Sequence, residues 1–286
     1  VQRCLACPDE FERLAKFMAL LCKAKRCPEA QQQNWLCKAQ TQAEKLRAIN
    51  SPDFLVDLYL WKLGKSFYDS NFYQQAIDCC DAALAIKPDY HQALYGKGVS
   101  LDDLNRYEEA IDCYDAALAI KPDIHEALYN KGGSLAALGR REEAIDCYDA
   151  ALAINPDDHE ALYSKGGSLY DLGRWEEAID CYDAALAIKP DLHQALYNKG
   201  GSLAVLGRYE EAIDCYDAAL AIKPDYGSSF YNKACCYGVQ GDASKALKFL
   251  QEAISLDAEY RSMAQTDAVF DAIRHDPRFQ ALTTVE

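Results

Sequence analysis

The sequence lacks any apolar run that approaches the ~20 residues of a membrane-spanning helix. Its stretch 17–22 is also too short for the hydrophobic core of a secretory signal. Basic residues are scarce, with 30 Lys and Arg against 45 Asp and Glu and a formal net charge of −15. Because nucleic-acid phosphates and anionic lipid headgroups attract basic surfaces, neither is expected as a partner.

Recognisable catalytic groups are also missing. The sequence contains no phosphate loop, no nucleophile–base–orienter set and no convergent metal cluster, so we expect neither enzymatic activity nor a cofactor. Cys4 and Cys7 form a lone CxxC, which is half of a zinc site by spacing. Because no second CxxC or CxxH follows, we expect no metal.

The charge is unevenly distributed along the chain. Residues 1–49 hold nine Lys and Arg and five Asp and Glu, a net of +4, so the remainder carries −19. A basic head on an acidic body allows the two to contact each other or to meet different partners. The chain begins with Val1, which we interpret as a piece of a longer protein or a trimmed form.

An internal repeat dominates the rest of the chain. CYDAALAIKPD recurs every 34 residues with small changes, from the CCDAALAIKPD of 79–89 to the copy at 215–225. Placing the proline of each copy at position 32 defines six windows: 57–90, 91–124, 125–158, 159–192, 193–226 and 227–260. The last window departs from the pattern, with Ala258 in place of the proline.

Each window predicts two helices, helix A over positions 2–14 and helix B over positions 17–30. Position 15 is always a residue that tolerates the left-handed conformation ending a helix; it is occupied by Asn71, Asn105, Gly139, Gly173, Gly207 and Gly241. Proline at position 32 stops helix B. Aspartate at position 33, with Gln or Glu three residues later, has the spacing of a capping box and predicts the start of the next helix A.

The packing positions carry a resemblance to a known family. Positions 4, 8 and 11 of helix A and 20, 24 and 27 of helix B form one apolar face, occupied in the third window by Leu128, Gly132, Leu135, Ala144, Tyr148 and Ala151. The pattern resembles the tetratricopeptide repeat (TPR) family over about residues 51–260. The resemblance implies an all-α, right-handed superhelical solenoid whose A helices line a concave groove.

The two ends do not fit the repeat. Residues 1–50 are expected to form a helical pair, either a degenerate repeat or a docking element. Residues 261–286 are expected to form the capping helices that a repeat array needs over its last apolar face.

Two further positions have structural interpretations. Cysteine at position 23, as in Cys147, is expected to be a small, semi-buried hydrophobe, because neighbouring helices lie too far apart for a disulfide. Unlinked cysteines predict a reducing, cytoplasmic compartment. Lysine at position 7 lies at the edge of the packing face, and we expect its stem to pack between repeats while its ammonium reaches a carboxylate of an adjacent helix.

The groove face carries the candidate binding residues. Position 5 is aromatic in every window, with Trp61, Tyr95, Tyr129, Tyr163, Tyr197 and Tyr231, although a ring beside helix B is also a common filler. Position 6 is Asn130, Asn198 or Asn232, interrupted elsewhere by Lys62, Gly96 and Ser164. In some members of the family, asparagine here grips the backbone of an extended peptide. Asp102, Asp103 and Asp171 add negative charge to the groove.

These features predict a protein-interaction scaffold or adaptor. Its expected ligand is a protein or peptide segment, neutral to basic, with apolar anchors. Two alternatives stay open. One is self-assembly into a homo-oligomer or filament, end to end or by insertion of the N-terminal helices into a neighbour's groove. The other is that the chain is the sensor or docking portion of a larger protein.

Overall fold

A computed structural model of the protein describes residues 56–284 and, before them, the helical positions 16, 19–20, 23, 31, 33–35, 37–39 and 41. Within these residues every regular element is helical, and no strand occurs. The all-α tandem-repeat fold predicted from the sequence is confirmed. None of the helices described is long and apolar enough to cross a membrane.

Over residues 56–256 the helices alternate between A and B elements, and three short helices follow. Their bounds are α1 Val56–Tyr68, α2 Tyr73–Leu84, α3 His91–Asp102, α4 Tyr107–Ile120, α5 His125–Ala137, α6 Arg141–Ile154, α7 His159–Asp171, α8 Trp175–Ile188, α9 His193–Val205, α10 Tyr209–Ile222, α11 Gly227–Val239, α12 Ala243–Leu256, α13 Glu259–Thr266, a 3₁₀ helix Ala268–Ile273 and α14 Pro277–Thr283. The B helices α4, α6, α8, α10 and α12 occupy positions 17–30, as predicted, whereas α2 ends earlier, at Leu84.

The turn from helix A to helix B has the predicted backbone conformation in all six repeats. Position 15 has a positive φ each time, 60° at Asn71, 57° at Asn105 and 75–78° at the four glycines. Glycine adopts this conformation without steric cost, and asparagine is the next most tolerant residue.

The capping prediction at position 33 is wrong. The N-cap of helix A lies one residue later, and the side chains of Tyr90, Ile124 and Leu192 make no capping hydrogen bond there. The backbone carbonyl of the position-33 aspartate takes part instead: the carbonyl of Asp191 accepts from the His193 N–H at 3.0 Å. Side-chain capping of a helix A occurs at Asp158, which accepts from the N–H groups of the next turn.

Two compact units make up the chain, residues 1–150 and 151–286. In the first unit, Leu60, Leu63 and Phe67 of α1 form a buried cluster with Ala39, and Leu20 and Trp35 pack against that cluster. Leu20, Trp35 and Ala39 therefore share a core with the first repeat. Cys4 and Cys7 lie outside the described residues.

The second unit ends in short helices that cover the last repeat. Phe270, Ile273 and Phe279 are buried in the same cluster as Leu250 of α12 and Tyr231 of α11. Burial of these apolar side chains removes the face of α11 and α12 from water, which is the function of a terminal cap in a repeat array.

Inside the second to fifth repeats, a tyrosine of helix B packs on a glycine of helix A. A Cβ added to Gly132 would lie 2.6 Å from Cε1 of Tyr148, and Gly98, Gly166 and Gly200 face Tyr114, Tyr182 and Tyr216 in the same way. The ring thus occupies the volume that a side chain at position 8 would need.

The cysteine and lysine predictions are both confirmed in the described residues. Position-23 cysteines are not in disulfides, and all of them but the half-buried Cys215 are buried. Lysine at position 7 pairs with the position-25 aspartate of the preceding helix B, with Nζ–Oδ1 distances of 2.5 Å for Lys131–Asp115 and Lys199–Asp183.

Candidate functional site: an aromatic–amide row on the A helices

The residues at positions 5 and 6 of the A helices, here called the aromatic–amide row, contain most of the predicted site. The position-5 tyrosine ring lies against the buried position-24 tyrosine of its own repeat. Ring centroids are 6.0 Å apart in each of four pairs, Tyr95–Tyr114, Tyr129–Tyr148, Tyr163–Tyr182 and Tyr197–Tyr216. Tilted rings at this distance attract each other, so helix B fixes the position of each ring.

The position-6 asparagines connect successive repeats. Each amide donates from Nδ2 to the tyrosine hydroxyl of the preceding repeat at 3.1 Å, in the pairs Asn130–Tyr95, Asn198–Tyr163 and Asn232–Tyr197. Both residue types were predicted from the sequence, but the hydrogen bond between them was not. The link orients the amide and the hydroxyl together.

The hydroxyls of Tyr95 and Tyr197 stay protonated at neutral pH. Burial, with smaller contributions from neighbouring groups, raises the pKa of Tyr95 and of Tyr197. A tyrosine hydroxyl that accepts from an amide keeps its own proton to donate, and an asparagine amide has a second N–H and a carbonyl oxygen. The chemistry of the row is therefore neutral hydrogen bonding beside aromatic surface.

Two of the predicted acidic residues, Asp102 and Asp171, have different surroundings. Asp102 accepts from the Tyr114 hydroxyl at 2.5 Å and from the Ser134 hydroxyl at 2.6 Å. Burial raises the pKa of its carboxyl group, and these two hydrogen bonds partly oppose that effect. Asp171 is exposed at the C-terminal end of α7. Asp102 thus connects two repeats, a contribution not expected from the sequence.

A cavity in the first unit brings four predicted residues together. Trp61, Tyr95, Asp102 and Asn130 all line a space of about 520 Å³. Its other lining residues include Tyr68, Asp69, Asp103, Lys65 and Cys80. Of these, sequence analysis had singled out only Asp103 as a groove acid. The rest were missed because the repeat pattern at their positions is different elsewhere in the chain.

In the second unit the row gains aromatic neighbours at position 34, which sequence analysis also missed. Tyr197 contacts Tyr226 with ring centroids 5.1 Å apart, and Tyr231 stacks on Tyr260 at 5.2 Å. Tyr231 is itself buried and donates to Asp267 at 2.9 Å. The available signal was the recurrence of tyrosine at position 34 in three of the six windows, the first being Tyr90.

Open space lies beside the row at position 9. A Cβ on Gly133 or on Gly167 would meet no atom within 4 Å. Glycine in a helix interior costs about 1 kcal/mol relative to alanine, and here packing does not require it. The open backbone surface leaves room for a bound chain.

Among the described residues no group of three or more His, Cys, Asp and Glu side chains is placed to hold a metal ion. The CxxC pair of the sequence lies outside this part of the chain. The described site is therefore one of aromatic rings, amides and carboxylates.

Solved structures of similar fold include three repeat proteins. YrrB, described as "a TPR protein with an unusual peptide-binding site", is 25% identical with a TM-score of 0.59, covering 67% of this chain and 97% of its own. MamA from Desulfovibrio magneticus RS-1 is 20% identical with a TM-score of 0.57, covering 59% and 96%. PilF of Pseudomonas aeruginosa is 18% identical with a TM-score of 0.62, covering 79% and 96%. No curated relative matches the chain.

Family models described as tetratricopeptide repeat match residues 62–125, 129–193 and 191–259, together more than half of the chain. Repeats of this kind form scaffolds for protein interaction and are generally non-enzymatic. The geometry of the repeats, the family models and the solved folds agree, and the chain belongs to the tetratricopeptide repeat family.

Proposed function

We propose that the aromatic–amide row binds a segment of a partner polypeptide, extended or helical, neutral to basic in charge and with apolar anchors. The chain would act as an adaptor that holds this partner. The observation that carries the proposal is the repeated Asn–Tyr hydrogen bond, which presents an oriented amide in three repeats. A peptide backbone offers one N–H and one C=O per residue, and an amide can pair with both.

Preorganisation supports this function. Binding requires the ordering of side chains at an interface, at about 0.5–1.5 kcal/mol for each flexible one. Here the position-5 ring in each of the second to fifth repeats is already held by its position-24 neighbour, and each amide by the preceding tyrosine. Little ordering is left for the bound state.

Charge and shape support the class of partner. A net charge of −15 attracts basic segments over a distance. The clearance at Gly133 and Gly167 leaves the helix backbone approachable. Tyrosine rings supply large contact areas at low entropic cost, as in other recognition surfaces. YrrB, which is similar in fold, is described as having a peptide-binding site.

The row of unlinked cysteines supports the cytoplasm as the compartment. Position-23 cysteines are not in disulfides in the described repeats, and cysteines stay reduced where the surroundings are reducing. Burial raises the pKa of Cys147 and Cys215, so their thiols are protonated and unreactive.

The test uses a peptide selected on the protein itself. A displayed library of random dodecapeptides is selected on the intact chain, and the best peptide is measured by calorimetry. Asn198→Ala removes one amide, and Tyr163→Phe keeps the ring but removes the hydroxyl that accepts from Asn198. Each variant is expected to weaken binding, by about tenfold for Asn198→Ala, as for a central contact of an interface.

Asp214→Ala is the matched control, because Asp214 is exposed on helix B of the same unit. Its affinity should equal that of the unaltered protein. A selection that yields no binding peptide, or a peptide whose affinity is unchanged by both row substitutions, would contradict the proposal.

A further inference from the structure

Three departures from the chain's own repeat pattern meet in one place in the first unit. Position 5 of the first repeat is Trp61 instead of tyrosine, position 24 is Cys80 instead of tyrosine, and position 6 of the next repeat is Gly96. A Cβ on Gly96 would lie 3.7 Å from both Cys80 Sγ and Trp61 Nε1. The three replacements are therefore neighbours in space, and their effects combine.

Together they open the 520 Å³ cavity described above. In the second repeat, the Tyr114 ring lies on Gly98 and its hydroxyl reaches Asp102. Cys80 provides no such ring, and its Sγ lies 3.4 Å from where a Cβ on Gly64 would be. Gly96 likewise provides no amide across the opening. We call this cavity the first-repeat pocket.

The walls of the first-repeat pocket combine aromatic rings with carboxylates. Trp61, Tyr68 and Tyr95 supply the rings, and Asp69, Asp102 and Asp103 supply the carboxylates, against a single lysine, Lys65. Asp69 and Asp103 are exposed, so their charge is available at the mouth. Aromatic faces attract cations, and the attraction strengthens as the cation loses water.

We propose that the first-repeat pocket binds the guanidinium group of an arginine in the partner polypeptide. A guanidinium is flat, is weakly hydrated, stacks on aromatic faces and donates to a carboxylate through two N–H groups. In the first-repeat pocket, the aromatic rings can stack on the guanidinium and the carboxylates can accept from its N–H groups. The inference rests on the proposed function, since it names one residue of the same partner.

The floor of the pocket suits the apolar stem of that side chain. Burial raises the pKa of the Cys80 thiol to about 12, so the sulfur next to Gly96 is neutral and carries a proton at physiological pH. A neutral thiol contacts methylene groups without an electrostatic penalty. The carboxylates then receive the charged end.

The experiment follows the indole N–H resonance of Trp61 by NMR, assigned through Trp61→Phe, with Trp175 as an internal reference. Acetylated and amidated Gly-Ser-Gly-X-Gly-Ser-Gly peptides are titrated with X as arginine, citrulline, lysine or phenylalanine. Citrulline has the shape of arginine without its charge. We expect a saturable shift of the Trp61 signal with arginine, at least tenfold weaker binding with citrulline, and an unmoved Trp175 signal.

Two variants test the location. Cys80→Tyr restores the ring of the other repeats and should abolish the shift, with circular dichroism showing that the fold is kept. Asp103→Asn removes one charge without filling the pocket, so it tests the proposal even if Cys80→Tyr does not fold. It should weaken arginine binding at least threefold.

Equal binding of arginine and citrulline, tighter binding of phenylalanine or lysine, or no saturable shift would overturn the inference. The proposed function is tested separately in the second unit at Asn198 and Tyr163. If those substitutions weaken the selected peptide while Trp61 stays silent, only the pocket assignment fails. If neither responds, both fail.

Discussion

Lysine at position 7 lies where two repeats meet, and the surroundings of its ammonium differ along the chain. The Lys199 side chain is 22% exposed and pairs with Asp183, whereas the Lys233 side chain is 7% exposed and pairs with Asp217. Lys233 Nζ also lies 4.0 Å from the Phe249 ring centroid. Its charge is thus satisfied by one carboxylate and one ring.

Removing the carboxylate should therefore cost unequal amounts. Asp217→Asn leaves a buried ammonium without its anionic partner and is expected to lower the free energy of unfolding by about 2 kcal/mol. Asp183→Asn leaves an ammonium that water can reach and should cost less than about 1 kcal/mol. Urea unfolding measures both, and equal losses would show that burial of the lysine does not matter.

Asp102 provides a pH-dependent prediction. Because burial raises its pKa in the folded state, the folded protein binds this proton more tightly than the unfolded chain does. The contribution of this group to stability is therefore full at acid pH and is lost as pH rises from the ordinary aspartate value of about 3.9 through the folded value. Ser134→Ala removes a donor to the charged form and should raise the pKa further.

Carboxyl-carbon NMR of the folded protein measures this titration directly. The ordinary aspartate value for Asp102, or a lower value in Ser134→Ala, would contradict the account. Asp102→Asn should also remove the corresponding slope from the dependence of stability on pH.

At the scale of the helix pair, two adjacent glycines have opposite surroundings. Gly132→Ala would place a Cβ 2.6 Å from the Tyr148 ring and should cost about 1–3 kcal/mol through overpacking. Gly133→Ala meets no atom within 4 Å and should gain up to about 1 kcal/mol through helix propensity. Thermal unfolding of the two variants decides this, and a loss at both positions would contradict the open surface described for position 9.

Helix boundaries show which element-scale features are readable from one sequence. The turn at Gly139 was predictable because a positive φ restricts the choice of residue to a few types. The helix start was not, because the position-33 aspartate uses its backbone carbonyl rather than its side chain, as Asp191 does. The presence of an aspartate in the sequence does not show whether its side chain or its backbone carbonyl accepts the hydrogen bond at the helix start.

At the scale of the whole molecule, charge sets the expected response to salt. A chain with a net charge of −15 should bind a basic selected peptide roughly fivefold more weakly when NaCl is raised from about 0.1 M to about 1 M, which shortens the Debye length from about 10 Å to about 3 Å. Calorimetry at both concentrations measures this, with a glutamine-substituted neutral peptide as control. An unchanged affinity for the basic peptide would contradict electrostatic attraction.

The 34-residue repeat by itself determined the family, the all-α fold, the hairpin turns and the identity of the aromatic–amide row. Repetition made this possible because a local pattern seen several times separates required positions from variable ones. Only the tertiary structure decided that Asn130 bonds to Tyr95, thirty-five residues away, and that Trp61, Cys80 and Gly96 meet around one cavity. These contacts join different repeats. The pattern within one 34-residue window does not specify which side chains of neighbouring repeats face each other.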